Sequence, residues 1–184
     1  EGRDMRTPIK WVVWLFIWSI TSAMTPWVRP TALDSQLPPA VAKACQDAVL
    51  GTPSCRLVES ERRLVDDGIA EYSYTLQVGN GEHDVIVLHR VVGEILPGVP
   101  LILQRSVFLV HGDVWGFRGA FLPSVASSAV ARRQSFAIHL ARQGQDVWGI
   151  DLRWVQVPAT TTDFTFMRNW NLEMHARDVS TGLA

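Results

Sequence analysis

The sequence lacks an excess of charge of either sign. Its formal net charge is −1 and its pI about 6.6, so it has no electrostatic footprint for nucleic acid. Charged residues are 19% of the chain and hydrophobic residues 47%, a balance too apolar for a disordered polymer. Cysteine is scarce: Cys45 and Cys55 are the two, with nine residues between them. That spacing fits neither a CxxC redox motif nor a zinc site. His83, His89, His139 and His175 are scattered without metal-ligand spacing. The glycines of GDVWGFRG (112–119) do not fit GxGxxG, which argues against a dinucleotide-binding domain. No internal repeat or low-complexity tract is present, and no cofactor is expected.

Against these absences stands an excess of Trp, eight residues against two Tyr. Four of them (Trp11, Trp14, Trp18, Trp27) fall near the start. From Met5, the expected true start, MRTPIK supplies a basic n-region with Arg6 and Lys10. WVVWLFIWSI follows as an uncharged apolar run, then Thr21 and Ala23 as small residues before a cut. This is the layout of a secretory signal peptide over residues 1–23. As a helix, Trp11 to Ile20 would rise about 15 Å, short of a bilayer core of roughly 30 Å. The alternative is an uncleaved anchor, which would be the chain's sole membrane contact. Export to the periplasm or medium fits the cysteines, since such a pair closes in an oxidising compartment. A Cys45–Cys55 loop would add about 3 kcal/mol on the chain-entropy estimate. Two buried free thiols are the alternative.

The patterning then divides the chain. Residues 24–69 read as a Pro-rich linker and a short helix whose face is Val41, Ala44, Cys45, Ala48 and Val49. From residue 70 the pattern becomes α/β. Tyr72, Tyr74, Leu76 and Val78 alternate with Glu71, Ser73, Thr75 and Gln77, as in a half-buried strand with its polar face outward. Gly79-Asn80-Gly81 is a turn, and Asp84 to Val92 completes a β-hairpin. Val107 to Val110 is a continuous apolar run, as in a parallel strand buried on both faces. Ser135 to Gln143 reads as a helix stopped at Gly144, with Phe136 and Leu140 on its core face and His139 flanking. Asp146 to Leu152 is a second buried strand. Leu172, Ala176, Val179 and Leu183 mark the core face of a last helix. Strand, helix, strand, helix at this spacing predicts a parallel βαβ unit.

VFLVHGDVWGF, followed by VWGIDLRW, resembles the α/β-hydrolase family, especially its esterase and lipase-like members. The likeness runs from about Glu71 to Ala184. In that family a hairpin opens the sheet, the third strand ends in His-Gly, and the fourth ends in an Asp-x-Arg-like turn. The resemblance implies that His111 and Gly112 shape a loop and that the Asp113 N–H stabilises an oxyanion. Acyl transfer needs such donors, because negative charge develops on the carbonyl oxygen. Asp113 is a departure, since its carboxylate has to point away from that charge. Trp154 stands where relatives carry glycine. Asp151 and Arg153 read as a turn-fixing carboxylate and an ion-paired guanidinium. Trp115 and Phe117 are candidates to line an acyl pocket, whereas Trp148, inside a strand, reads as core.

No serine has the flanking glycines of GxSxG. The resemblance places the nucleophile, acid and base after the last helix, so the chain reads as the incomplete N-terminal part of the fold. The expected function is therefore the oxyanion-loop half of a secreted serine hydrolase acting on a small-molecule or lipid ester, inactive by itself. In the family sheet the nucleophile strand adjoins the His-Gly strand, so Val107 to Val110 would otherwise form an exposed edge that lowers solubility. The alternative is a non-catalytic secreted or membrane-tethered binding module derived from a hydrolase fold.

Overall fold

The computed structural model describes residues 55–183. The expected signal peptide, the linker with its helix, and Cys45 lie outside the described residues. Among the described residues six strands form one sheet: β1 (Arg56–Asp66), β2 (Ile69–Gln77), β3 (Val85–Leu96), β4 (Val99–Pro100), β5 (Ser106–Val110) and β6 (Asp146–Asp151). Between β5 and β6 lie three short helices, α1 (Phe117–Phe121), α2 (Pro123–Ala126) and α3 (Phe136–Arg142). After β6 comes α4 (Leu172–Leu183). The sheet order is β1-β2-β3-β6-β5, with β4 paired to β3. The contacts β1–β2, β2–β3 and β3–β6 are antiparallel, and β5–β6 is parallel. The sheet is thus mixed, with a hairpin leading into a parallel pair.

Among the described residues the sheet starts at Arg56, ahead of the expected residue 70. The reason β1 escapes a periodicity reading is visible in its register. Shifts between Leu57 and Glu59 and between Leu64 and Asp66 break the alternation. As an edge strand it also keeps charged side chains toward water. Its presence turns β2 into an interior strand. Glu71 and Ser73, expected on a solvated face, are buried.

Each face of the sheet has its own core. Val65, Ile69, Val91 and Val147 pack with Phe117, Leu122, Ala137, Ile138 and Ala141 from the α1–α3 side. Tyr74, Leu76, Ile86, Leu88, Ile150 and Leu152 form the other core, with Trp148, Trp154 and Val179 packed against it. Strand alternation makes this division, because successive side chains leave opposite faces. In α3 the buried residues are Ala137, Ile138 and Ala141, while Phe136 is 49% exposed, so the helix is rolled from the expected face. His139 is exposed.

The roll of α4 differs from its apolar pattern more sharply. Leu172 is 84% exposed and Leu183 61%, whereas Asp178 is 2% exposed. The cause is an ion pair. Arg153 donates from Nε to Asp178 Oδ2 at 2.7 Å and from its Nη2 to Oδ1 at 2.8 Å. Arg153 also contacts Asp84 in the hairpin turn. At the far end, a Cβ on Gly182 would stand 2.8 Å from Leu88 and 2.9 Å from Phe108, so glycine lets the helix approach closely. Strand β5 is half-buried, not buried on both faces as its apolar run suggested, and it is outermost in the sheet order among the described residues, the edge position expected for it in this chain. A strand flanked on one side only cannot shield its backbone edge.

Candidate active site

The carboxyl ends of parallel strands β5 and β6 open onto the loop at residues 111–116. Open α/β sheets place ligands at such ends. His111 is buried, and both ring nitrogens are engaged. Nδ1 lies 2.7 Å from the Gly112 carbonyl oxygen, and the Leu152 N–H donates to Nε2 at 3.3 Å. A carbonyl can only accept and a backbone N–H can only donate, so this His carries its proton on Nδ1. It tethers the start of the loop to the end of β6. Trp154 packs edge-on against it with ring centroids 5.7 Å apart.

Beyond His111 the loop is exposed. Val114 has φ +79°, a left-handed conformation that crowds a β-branched side chain and costs of order 1–3 kcal/mol. The Asp113 N–H donates to no acceptor among the described residues. Asp113 borders an open groove of about 720 Å³. The groove's apolar wall comes from Val110, Leu152, Trp154, Trp170, Ala176 and Val179, and His175 and Asn171 add polar groups. His175 sits edge-on to Trp154 at 4.7 Å. Burial pushes its imidazole below its usual value, which favours the neutral ring.

The far end of the loop is held differently. The Asp151 carboxylate accepts the Phe117 N–H where α1 begins. A Cβ on Gly116 would stand 3.0 Å from Asp151 Oδ1, so the close approach requires glycine. Phe117 itself is fully buried. It stacks on His89 with centroids 4.6 Å apart and packs at 5.7 Å against Phe121. A Cβ on Gly149 would lie 2.3 Å from the Phe117 ring. Phe117 is therefore a core residue and not a pocket residue. Trp115 is 61% exposed and stands outside the groove wall, beside Gly119. Trp148 is half-buried in β6, stacked against Tyr74, with Arg90 over its ring.

The groove residues Trp154, Trp170, Leu172 and His175 were not legible as a wall in the sequence. Three come from segments far from the His-Gly loop, and the fourth was marked only as a departure. A second cluster was missed altogether. His89 lies between Glu71 and Asp151 on the α1 side of the sheet. The signal available was a carboxylate and a histidine on adjacent strands, with Val87 and Val91 two residues either side of His89 and Ile69 two residues before Glu71. Among the described residues no group of three or more His, Cys, Asp or Glu is arranged to hold a metal. No helix among them is long and apolar enough to cross a membrane.

No protein-family model matches the chain, and no curated protein matches it. A solved structure does. It is described as a "putative lipase" from Sulfolobus solfataricus, with a TM-score of 0.54 and 24% identity. The likeness is one of fold. It covers 68% of this chain and 36% of that protein, so the chain spans about a third of the length of the structure it matches. The mixed sheet with its flanking helices is thus similar to a lipase-like, hydrolase fold.

Proposed function

We propose that this chain supplies the oxyanion loop and the substrate groove of a secreted serine hydrolase acting on esters. The carrying observation is the placement of Asp113. Its backbone N–H has no acceptor among the described residues, and it borders an apolar groove at the carboxyl ends of two parallel strands. A preorganised N–H beside an apolar cleft suits a carbonyl oxygen that gains negative charge next to a hydrocarbon acyl group. The two tethers, His111 to Leu152 and Asp151 to Phe117, hold the loop from either end. Chemistry also requires a nucleophile and a base. None of the serines stands in a GxSxG elbow, so these residues bind and orient but do not cleave. Export through residues 1–23 and a Cys45–Cys55 disulfide complete the proposal.

The test uses the 184-residue chain labelled with ¹⁵N and titrated with hexylphosphonate, an anionic head on an apolar tail. The expected result is a saturable shift of the Asp113 amide together with the Trp154 indole N–H. No shift at Asp113 with shifts elsewhere overturns the oxyanion role. Serine-dependent turnover of p-nitrophenyl esters by the chain alone overturns the division of labour.

A further inference from the structure

The face of the sheet beneath α1 carries charge that the apolar core does not need. His89 on β3 is 2% exposed and Glu71 on β2 is 1% exposed. His89 Nδ1 is 2.9 Å from Glu71 Oε1, and Nε2 is 3.2 Å from Asp151 Oδ2 on β6. Register explains the meeting: Ser73 pairs with His89, His89 with Gly149, and Val87 with Asp151, so the three side chains leave the same face. Around them stand the other charged groups. Arg118 of α1 donates from Nε to Glu71 Oε1 at 2.8 Å and reaches Glu61 of β1 at 3.4 Å. His111 Nε2, after β5, is 4.0 Å from Asp151 Oδ1, and Gln156 is 3.5 Å from Oδ2.

The geometry bears on the protonation of His89. A neutral imidazole donates from one nitrogen only, so one of the two carboxylates would face a lone pair at about 3 Å. An imidazolium answers both, hydrogen-bonded to Glu71 through Nδ1 and set as a close ion pair, outside hydrogen-bond geometry, against Asp151 through Nε2. With His89 charged, the carboxylates of Glu71 and Asp151 are matched by two cations, His89 and Arg118. With it neutral, Arg118 remains on Glu71, shared with Glu61, and Asp151 loses its imidazolium partner. Burial opposes charge on all three groups, and their partners outweigh it. His89 is held above its usual value, and Glu71 and Asp151 below theirs.

The opposite oxygen of Asp151 holds the Phe117 N–H, where the His111–Gly116 loop rejoins the fold. We propose that His89 is a positioning residue: gripped by Glu71, it holds the Asp151 carboxylate against the Phe117 N–H and so sets the far end of the oxyanion loop. The functional consequence rests on the oxyanion reading above. The near end of the loop has its own tether through His111, so loss of His89 should loosen residues 113–117 and spare the His111 contact.

The experiment is an NMR pH titration of the full chain, with ¹⁵N-labelled backbone and histidine rings. Both His89 ring nitrogens are expected to be protonated at pH 6, below the ordinary value that the two carboxylates raise. Raising the pH should move the His89 ring and the Phe117 amide with one common midpoint above 6.5. In E71Q that midpoint should fall by about one unit, a tenfold change in proton affinity. Phe117 amide exchange should also speed up at least tenfold while the β5–β6 amides stay protected. H89Q should give the same loosening at every pH. A neutral His89 at pH 6, or a Phe117 amide blind to its titration, overturns the proposal, and the wild-type titration decides this even if a variant fails to fold. Hexylphosphonate separates the two readings. If Phe117 follows His89 but the ligand leaves Asp113 unmoved, the positioning link stands and the oxyanion reading falls. If the ligand shifts Asp113 equally in wild type and E71Q with Phe117 unchanged, the positioning link falls and the oxyanion reading stands.

Discussion

Asp178→Asn tests what docks α4, and through it one wall of the groove. Of the apolar residues that pattern this helix, Val179 packs against the core, but Leu172 is 84% exposed and Leu183 61%. The anchor is the bidentate pair with Arg153 at 2.7 and 2.8 Å, between side chains 3% and 7% exposed. Removing one partner from a buried pair costs about 3–5 kcal/mol, because the other charge is stranded. Arg153 keeps Asp84, which places the expected loss at the low end, about 3 kcal/mol. For a domain of this size that lowers Tm by roughly 6–12 °C. Against a total stability of about 5–15 kcal/mol the change is large and measurable. The assay is urea unfolding of the full chain followed by Trp fluorescence, with hydrogen exchange of the α4 amides alongside. The double variant Arg153→Met/Asp178→Leu removes both charges and should recover to within about 1 kcal/mol of wild type. A loss below about 1 kcal/mol in D178N, or a double variant no better than the single one, refutes the reasoning.

Other changes probe the loop and the charged face. Gly149→Ala puts a methyl 2.3 Å from the Phe117 ring and should cost about 1–3 kcal/mol by overpacking, read by urea unfolding. Val114→Gly removes a β-branched side chain from φ +79° and should raise stability by about 1 kcal/mol; a lower Tm contradicts the strain. Stability should also depend on pH at both ends of a window. His89 is raised above 6.5, so its share is fully present below that value and is lost as pH climbs through the folded value. Glu71 and Asp151 are lowered from 4.5 and 3.8, so their share is present above those values and is lost as pH falls through the folded ones. The optimum is expected between the ordinary carboxylate and histidine ranges, and H89Q should flatten its alkaline side in denaturation curves.

Local rules written into the chain were sufficient for much of the fold. The hairpin around Gly79–Gly81, the apolar strands on either side of α3, and the stop at Gly144 with φ +74° follow from side-chain period and turn chemistry. The His-Gly loop was legible for the same reason, as a glycine directly after an apolar strand. Strand β1 was not, because two register shifts erase its period. The burial of Glu71 and Ser73 was not, because that depends on having β1 on one flank and α1 overhead. Phe117 looked like a pocket residue until α1 folded it over Gly149.

Sequence alone determined the hairpin, the two apolar strands and the two longer helices, though not β1, α1 or α2, because those preferences act between near neighbours. Tertiary structure alone decided which side of each element faces inward when charge is involved. A buried ion pair such as Arg153–Asp178, or the group around His89, joins residues 18 to 62 positions apart in pairs that no period encodes. Desolvation makes these pairings stringent: a charge leaves water only where its partners already stand. For that reason the rolled α4, the groove it walls and the carboxylates around His89 emerge only from the assembled sheet.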